Sequence, residues 1–239
     1  MEIKKIVLIL LLIISCNKKR EEVSISDYPN INSNVLYDID SKKLDFKLFK
    51  INDSIYIKEG YYNNQLVGLD TLINKNNFYF DGWSKRIYNK KDSVTYYELL
   101  HIDNKSYVNQ KISYINCEIN YENSIYYEVD KDNYLLKLNV FKEFVKSTGN
   151  DYIFLLLSKD LKNNFNNITN NNLVYDTIYL DSIYKSGSKS NVLQFKLNKD
   201  DIYKNGYFIF HSYDTNDKLI SNQRLYYKNK SANAKFECK

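Results

Sequence analysis

Short runs in which apolar and polar residues alternate dominate this 239-residue chain. A period of two residues is typical of β-strands with one buried face, whereas the helical period of 3.6 residues is nearly absent. In the first half the pattern predicts strands at Asp45–Ile51, Ile55–Lys58, Leu66–Ile73, Phe78–Phe80, Val94–His101, Lys111–Ile119 and Ile125–Val129. In the second half it predicts strands at Tyr134–Phe141, Tyr152–Ser158, Leu173–Leu180, Val192–Leu197, Tyr207–Tyr213 and Lys218–Tyr227.

The spacing of the predicted strands indicates the fold class. Strand starts lie roughly 8 to 15 residues apart, which favours sandwiches or small barrels over βαβ units. We expect a mainly β chain with an antiparallel, β-sandwich-like fold of one or two domains. The expected boundaries are an N-terminal β-domain at 35–123, a C-terminal sandwich at 124–230 and a polar tail at 231–239.

The N-terminus has a different pattern. An apolar run from Ile6 to Ile14 follows two lysines, and it is far shorter than the roughly 20 residues that a membrane-spanning helix needs. This layout is typical of a secretory signal peptide. The run ends in Ile13-Ile14-Ser15-Cys16, which resembles the lipobox of bacterial lipoproteins. An ordinary cleaved signal peptide followed by an unrelated cysteine is the alternative.

The lipobox resemblance implies a location and a modification. The thiol of Cys16 is diacylglycerated, residues 1–15 are removed, and Cys16 becomes the new N-terminus that carries the lipid anchor, with palmitate as the expected type of chain. The mature protein is then anchored to a membrane of the cell envelope, with the outer membrane as the expected one. Residues 16–34 are polar and include the only proline, Pro29, so we expect a flexible tether there.

Charge argues against a nucleic-acid partner. The chain has 34 basic and 29 acidic residues, a formal net charge of +5. Loss of residues 1–15 leaves 32 basic and 28 acidic residues, or +4. This small excess is scattered along the chain, whereas nucleic-acid binding requires a concentrated basic surface.

Three cysteines are present, and none has the spacing of a metal site, so we expect neither a metal nor a cofactor. Cys117 alternates with Ile115 and Ile119, which predicts a buried strand position. Cys238 lies in the polar tail. In an oxidising compartment Cys117 and Cys238 can pair, but a core position does not readily reach a terminus, so the pairing stays open.

The second half of the chain resembles immunoglobulin-like and fibronectin type III sandwiches. The resemblance rests on the strand end Phe195-Lys196-Leu197, the strand start Asn205-Gly206-Tyr207 and the hairpin turn Asp214-Thr215-Asn216-Asp217. It implies two packed antiparallel sheets over about residues 125 to 230.

Tyrosine is abundant, with 24 residues, and suggests a binding surface. Trp83, Tyr61 and Tyr62 are the candidate ligand surface, because exposed aromatic rings can bind a glycan or a partner protein. The alternative is compositional. Asn, Lys, Ile and Tyr are all encoded by AT-rich codons, and alternation buries many tyrosine rings in sheets.

A recurring Asp-[Ser/Thr]-aliphatic pattern suggests a modification. It resembles the O-glycosylation sequon of exported proteins of Bacteroidetes-type bacteria, whose AT-rich members share this composition. The resemblance implies acceptors among Ser54, Thr71, Ser93, Thr177 and Ser182. The alternative is that Asp-Ser and Asp-Thr simply begin strands after turns.

No catalytic motif is present in the sequence: it has no GxSxG, Walker or HExxH pattern. The two histidines are His101 and His211, and Ser212 beside His211 points to the opposite strand face, so the two cannot form a relay. We therefore expect a lipid-anchored binding or structural protein of the cell envelope. The alternative is an envelope hydrolase with a dispersed active site.

Overall fold

The computed structural model describes residues 20–24, 43–74, 78–88, 93–102, 105–140, 152–158, 173–179, 192–213, 216 and 219–227. Over these residues the chain is mainly β, with antiparallel sheets in a β-sandwich-like arrangement, as the alternation predicted. Two compact units are present, Met1–Phe78 and Tyr79–Lys239. This division lies before the boundary expected at 123/124, so the strands between residues 82 and 119 belong to the same unit as the C-terminal half.

The first unit contains a four-stranded meander. Each strand pairs with the next one along the chain, in the order β1 (Glu21–Val23), β2 (Asp45–Lys50), β3 (Ile55–Tyr62) and β4 (Gln65–Asn74). Leu48, Tyr56 and Leu72 are buried on one face of three of these strands. Lys58 and its register partner Asp70 are also fully buried on this face. β5 (Phe78–Phe80) follows at the division between the units.

Strand β1 lies within residues 16–34, where the sequence predicts a tether, and residues 16–19 and 25–34 lie outside the described residues. Glu21 lies opposite Lys50 and Val23 lies opposite Leu48, so these residues form a short antiparallel strand. The pairing gives hydrogen-bond partners to main-chain groups along the outer side of β2, which would otherwise have none. Among the described residues, regular structure therefore begins at Glu21, inside the segment that the sequence predicts as a tether.

Asn63 and Asn64 form a two-residue turn between β3 and β4. Their φ angles are 49° and 61°, a left-handed conformation that favours glycine. We expect Asn64→Gly to raise the free energy of unfolding by about 0.5 kcal/mol and Asn64→Ala to lower it by about 1 kcal/mol.

Urea denaturation of the two Asn64 variants checks this turn. Gln65→Gly is the control, because Gln65 begins strand β4 and glycine weakens a strand. Equal stability of the glycine and alanine variants at position 64 would contradict the left-handed turn.

The second unit begins with another meander. It contains β6 (Gly82–Tyr88), β7 (Ser93–Ile102), β8 (Lys105–Ile115) and β9 (Glu118–Ile119), again in chain order. A 3₁₀ helix, Tyr121–Asn123, then leads into the sandwich.

Two sheets form the sandwich of the second unit. The first has three strands in the order β10 (Tyr126–Asp130), β11 (Leu135–Asn139) and β14 (Val192–Lys196). The second has four strands in the order β13 (Leu173–Tyr179), β12 (Tyr152–Ser158), β15 (Asn205–Tyr213) and β16 (Leu219–Tyr227).

Alternate residues of both sheets form the sandwich core. The core includes Leu136 and Leu138 of the three-stranded sheet and Ile153, Leu155 and Phe208 of the four-stranded sheet. Each of these side chains is at most 1% exposed. The core also includes Tyr227, which is fully buried and whose hydroxyl donates to the carbonyl oxygen of Ile202 at 3.0 Å.

The structure contradicts the prediction that Cys117 is a buried strand residue. Asn116 and Cys117 form a two-residue turn between β8 and β9, with φ angles of 50° and 64°, and Cys117 is exposed. Cys117 is disulfide-bonded. The other two cysteines of the chain, Cys16 and Cys238, lie outside the described residues. A thiol reagent can therefore react with Cys117 only after the disulfide bond has been reduced.

Candidate ligand-binding surface

The aromatic residues predicted as a ligand surface lie in both units. Tyr61 and Tyr62 end β3 in the first unit, where Tyr62 is exposed and Tyr61 is half-buried. The Tyr61 hydroxyl donates to Glu59 Oε2 at 2.5 Å, which is the largest cause of its raised pKa. Trp83 is half-buried in β6, in the second unit.

Four tyrosines of the second unit form a group that the sequence analysis did not identify. Tyr96 lies in β7, Tyr114 in β8, Tyr121 in the 3₁₀ helix and Tyr126 in β10, and we call them the tyrosine cluster. The rings of Tyr96 and Tyr114 meet edge to face, with centres 6.0 Å apart. Tyr121 contributes to the raised pKa of Tyr126, although burial is the largest cause.

Burial differs across the tyrosine cluster. Tyr96 and Tyr126 are buried, Tyr114 is half-buried, and Tyr121 is 51% exposed. Tyr121 is therefore the most accessible ring of the tyrosine cluster.

Burial and the charge of Glu128 raise the pKa of two tyrosines of the cluster. Burial is the main cause that raises the pKa of Tyr126, and the charge of Glu128 raises it further. Burial also raises the pKa of Tyr114, with smaller effects from Tyr96, Tyr121 and Glu128. The hydroxyl groups of Tyr114 and Tyr126 therefore stay protonated at neutral pH and can donate hydrogen bonds.

A basic and an aromatic group border the cluster on the side of β6. The ammonium nitrogen of Lys85 lies 5.6 Å from the ring centre of Tyr96, its register partner. Trp83 lies two residues before Lys85 and so shares its sheet face. One of the aromatic residues predicted from the sequence thus lies on the strand face next to the cluster.

A buried group of polar side chains lies close to the tyrosine cluster on β7 and β8. It comprises Glu98, Asn109 and Gln110, which we call the polar clasp. Glu98 Oε2 accepts hydrogen bonds from Asn109 Nδ2 at 2.7 Å and from Gln110 Nε2 at 2.8 Å. All three side chains are at most 5% exposed.

A β-bulge explains why two consecutive amides both face inward in the polar clasp. Glu98 pairs with Gln110 and the next residue of β7 pairs with Val108, so Asn109 has no partner on β7. The bulge breaks the alternation of faces at this point.

The polar clasp also binds main chain in two other strands. Asn109 Oδ1 accepts from the Tyr226 amide at 2.7 Å, and Asn109 Nδ2 donates to the Tyr226 carbonyl at 2.9 Å. Gln110 Oε1 accepts from the Tyr127 amide at 3.0 Å. The clasp therefore joins β8 to β16 and β10, and its groups are used for structure.

Both histidines contact tyrosine rings. His101 stacks on Tyr79 with ring centres 3.9 Å apart, and its Nδ1 is buried with no hydrogen-bond partner among the described residues. His211 Nδ1 lies 2.9 Å from the Tyr152 hydroxyl. Burial lowers the pKa of His211, and the charge of Arg224 lowers it further.

The candidate O-glycosylation residues differ in their positions. Ser54 is exposed in the turn before β3, next to Asp53, whose side chain is 97% exposed. Thr71 is half-buried within β4, and Ser93 is half-buried at the start of β7. Thr177 lies in β13, and Ser182 lies outside the described residues. Ser54 is thus more exposed than Thr71 and Ser93, the other two candidates whose burial is described.

Within the described ranges, no three His, Cys, Asp or Glu side chains are grouped closely enough to hold a metal ion. The same ranges contain no helix that is long and apolar enough to cross a membrane. Comparisons with protein-family models, curated proteins and solved structures give no match for this chain.

Proposed function

We propose that this chain is a lipid-anchored binding module of the cell envelope, with a protein or glycan partner. The signal-peptide pattern that ends at Cys16 supports export and acylation. The sandwich topology, with three- and four-stranded sheets over one core, supports the resemblance to immunoglobulin-like and fibronectin type III domains. Such sandwiches commonly act as rigid binding scaffolds.

The observation that carries the proposal is the accessible surface of the tyrosine cluster. Tyr121 is 51% exposed, and the exposed residue Glu128 lies close enough to Tyr126 of the same cluster for its charge to raise the pKa of that phenol. Aromatic rings bury a large area at little entropic cost, and tyrosine hydroxyls add directional hydrogen bonds. Such surfaces are typical of interfaces.

The environments of two buried acidic side chains, Glu98 and Asp201, favour binding over hydrolysis. Glu98 accepts two amide hydrogen bonds inside the polar clasp, and Asp201 is bonded to Lys204 and Asn198. A general acid or base needs a proton that can be exchanged with substrate at hydrogen-bond distance. Carboxylates held in structural bonds are poor candidates for that role.

Tyr121→Ala is expected to weaken binding of the envelope partner at least about tenfold, because Tyr121 is the most exposed ring of the cluster and loss of an aromatic interface contact can cost about 1.4 kcal/mol or more. The measurement is capture of envelope components from mild detergent extracts by the tagged mature protein, with quantitative mass spectrometry. Tyr203→Ala is the matched control, since Tyr203 is 58% exposed and is not part of the tyrosine cluster. Equal capture by both variants would exclude the cluster as the binding surface.

Cys16→Ser is expected to abolish acylation and to release the protein from membranes or leave it unprocessed. Metabolic labelling with a clickable fatty acid, followed by membrane fractionation, measures both effects. Label that persists on the serine variant would refute the anchor.

A further inference from the structure

We propose that the lipid at Cys16 holds the first unit directly against the membrane headgroup layer, because β1 fixes the chain five residues after the anchor. This inference rests on the proposed lipid anchor and adds how the anchored protein is positioned. The partner surface is the headgroup layer of the membrane that carries the lipid.

The length of chain between the anchor and the fold sets the distance. Arg20 is the first described residue and lies four residues after Cys16, so at most about 14 Å separate their α-carbons. If the chain were free as far as Asp45, the 29 intervening steps would permit about 100 Å when extended and a mean span of about 30 Å as a coil. Pairing of β1 therefore replaces a long tether with a short one.

Main-chain and side-chain contacts hold β1 in place. Its three residues pair in register with Leu48, Phe49 and Lys50 of β2. Arg20 Nη1 bonds to Glu59 Oε1 at 3.1 Å, and the Glu59 carboxylate is only 12% exposed. Glu59 also accepts a hydrogen bond from the Tyr61 hydroxyl, so a contact within β3 holds the carboxylate that Arg20 binds.

The groups near β1 indicate that tether length, and not charge, causes the proximity. Three basic residues, Lys18, Lys19 and Arg20, precede β1; the exposed Glu21 and Glu22 offset two of them, and Arg20 is paired with Glu59. An attachment without a concentrated basic surface is little affected by salt. We therefore expect high ionic strength to leave the position of the first unit unchanged.

Two matched insertions test the inference in the full-length acylated protein. The same Gly/Ser segment of about 20 residues, with a mean span near 25 Å, is inserted after Lys18 in one variant and after Asn30 in the other. A fluorescent non-natural amino acid at position 53 reports proximity, because the turn that contains it begins one residue after Lys50, the register partner of Glu21. The vesicles contain phosphatidylethanolamine, phosphatidylglycerol and a lipid with a nitroxide on its headgroup.

The expected result is asymmetric. Insertion after Lys18 lengthens the tether and lowers quenching by at least about threefold, whereas insertion after Asn30 only lengthens the loop between β1 and β2 and leaves quenching unchanged. Equal quenching in the two variants would overturn the inference, because both insertions would then lengthen the same free tether. Fatty-acid labelling of the same samples shows whether each variant is anchored, which separates failure of the anchor from failure of the short tether.

Discussion

Gly206→Ala is expected to lower the free energy of unfolding by about 3 kcal/mol, because the added methyl group has no space. A β-carbon at this position would lie 2.0 Å from the carbonyl oxygen of Leu156 and 3.0 Å from a methyl group of Leu157. The first contact is with main chain, so no side-chain rotation relieves it. The central pair of β12 and β15 would have to separate.

Chemical denaturation followed by tyrosine fluorescence or circular dichroism measures the loss. Gln194→Ala is the control, since Gln194 is exposed in β14 and exposed substitutions usually change stability by less than about 0.5 kcal/mol. A loss below about 1 kcal/mol for the Gly206 variant would show that β12 and β15 are not packed at this distance.

Asn109→Ala is expected to cost about 3 kcal/mol or more, because it leaves several buried polar groups without partners. The substitution removes the bond to Glu98 and both bonds to the Tyr226 main chain. Each unsatisfied buried group costs about 1–3 kcal/mol, and water has little access to this site.

Asn133→Ala is the matched control for the polar clasp. Asn133 donates a side-chain hydrogen bond to Asp130 at 3.0 Å, but it is exposed, so its loss should cost less than about 1 kcal/mol. Asn109→Asp adds a second acid beside Glu98. Repulsion between the ionised pair raises carboxyl pKa values in the folded state, so this variant should lose further stability as the pH rises from about 4 to 7. A stability that is independent of pH in this range would contradict the geometry of the clasp.

Much of the fold could be predicted from short apolar and aromatic runs that are bounded by polar residues. The predicted bounds of β5 and β12 match the observed strands Phe78–Phe80 and Tyr152–Ser158. Both strands carry apolar or aromatic residues with clear polar limits. The sandwich in the second unit follows from the same signal, since one buried face requires a second sheet to cover it.

Strand β6 was missed because its buried face is polar. Ser84 and Arg86 are nearly fully buried, and the alternate residues Trp83, Lys85 and Ile87 are half-buried. Alternation of hydrophobicity therefore has no consistent phase in this segment. Burial of an arginine depends on partners from other strands, which a single strand pattern does not reveal.

The turn at Asn116 and Cys117 was missed for a related reason. Cysteine is usually a buried, apolar-like residue, so Ile115, Cys117 and Ile119 were interpreted as one strand face. The backbone instead reverses there, and Ile115 is exposed. The usual sequence signal of this turn is glycine at the second position, and cysteine stands in that place.

The tyrosine cluster depends on register, which alternation does not give. Tyr96 and Tyr114 lie on one sheet face because β7 and β8 pair with Val94 opposite Tyr114. The bulge at Asn109 shifts the register of the same two strands by one residue. Without the bulge, the register would place Tyr114 on the opposite sheet face from Tyr96.

The contact between Asn109 and Tyr226 has a consequence for aggregation. β16 is the last strand of its four-stranded sheet, and an edge strand with free amide and carbonyl groups is a template on which another chain can add. The Asn109 amide occupies both groups of Tyr226 and so interrupts that template. In the proposed lipid-anchored form, copies would be confined to two dimensions and would meet often, which would favour intermolecular strand addition. The Asn109 side chain blocks such addition at Tyr226, because both main-chain groups of that residue are already bonded.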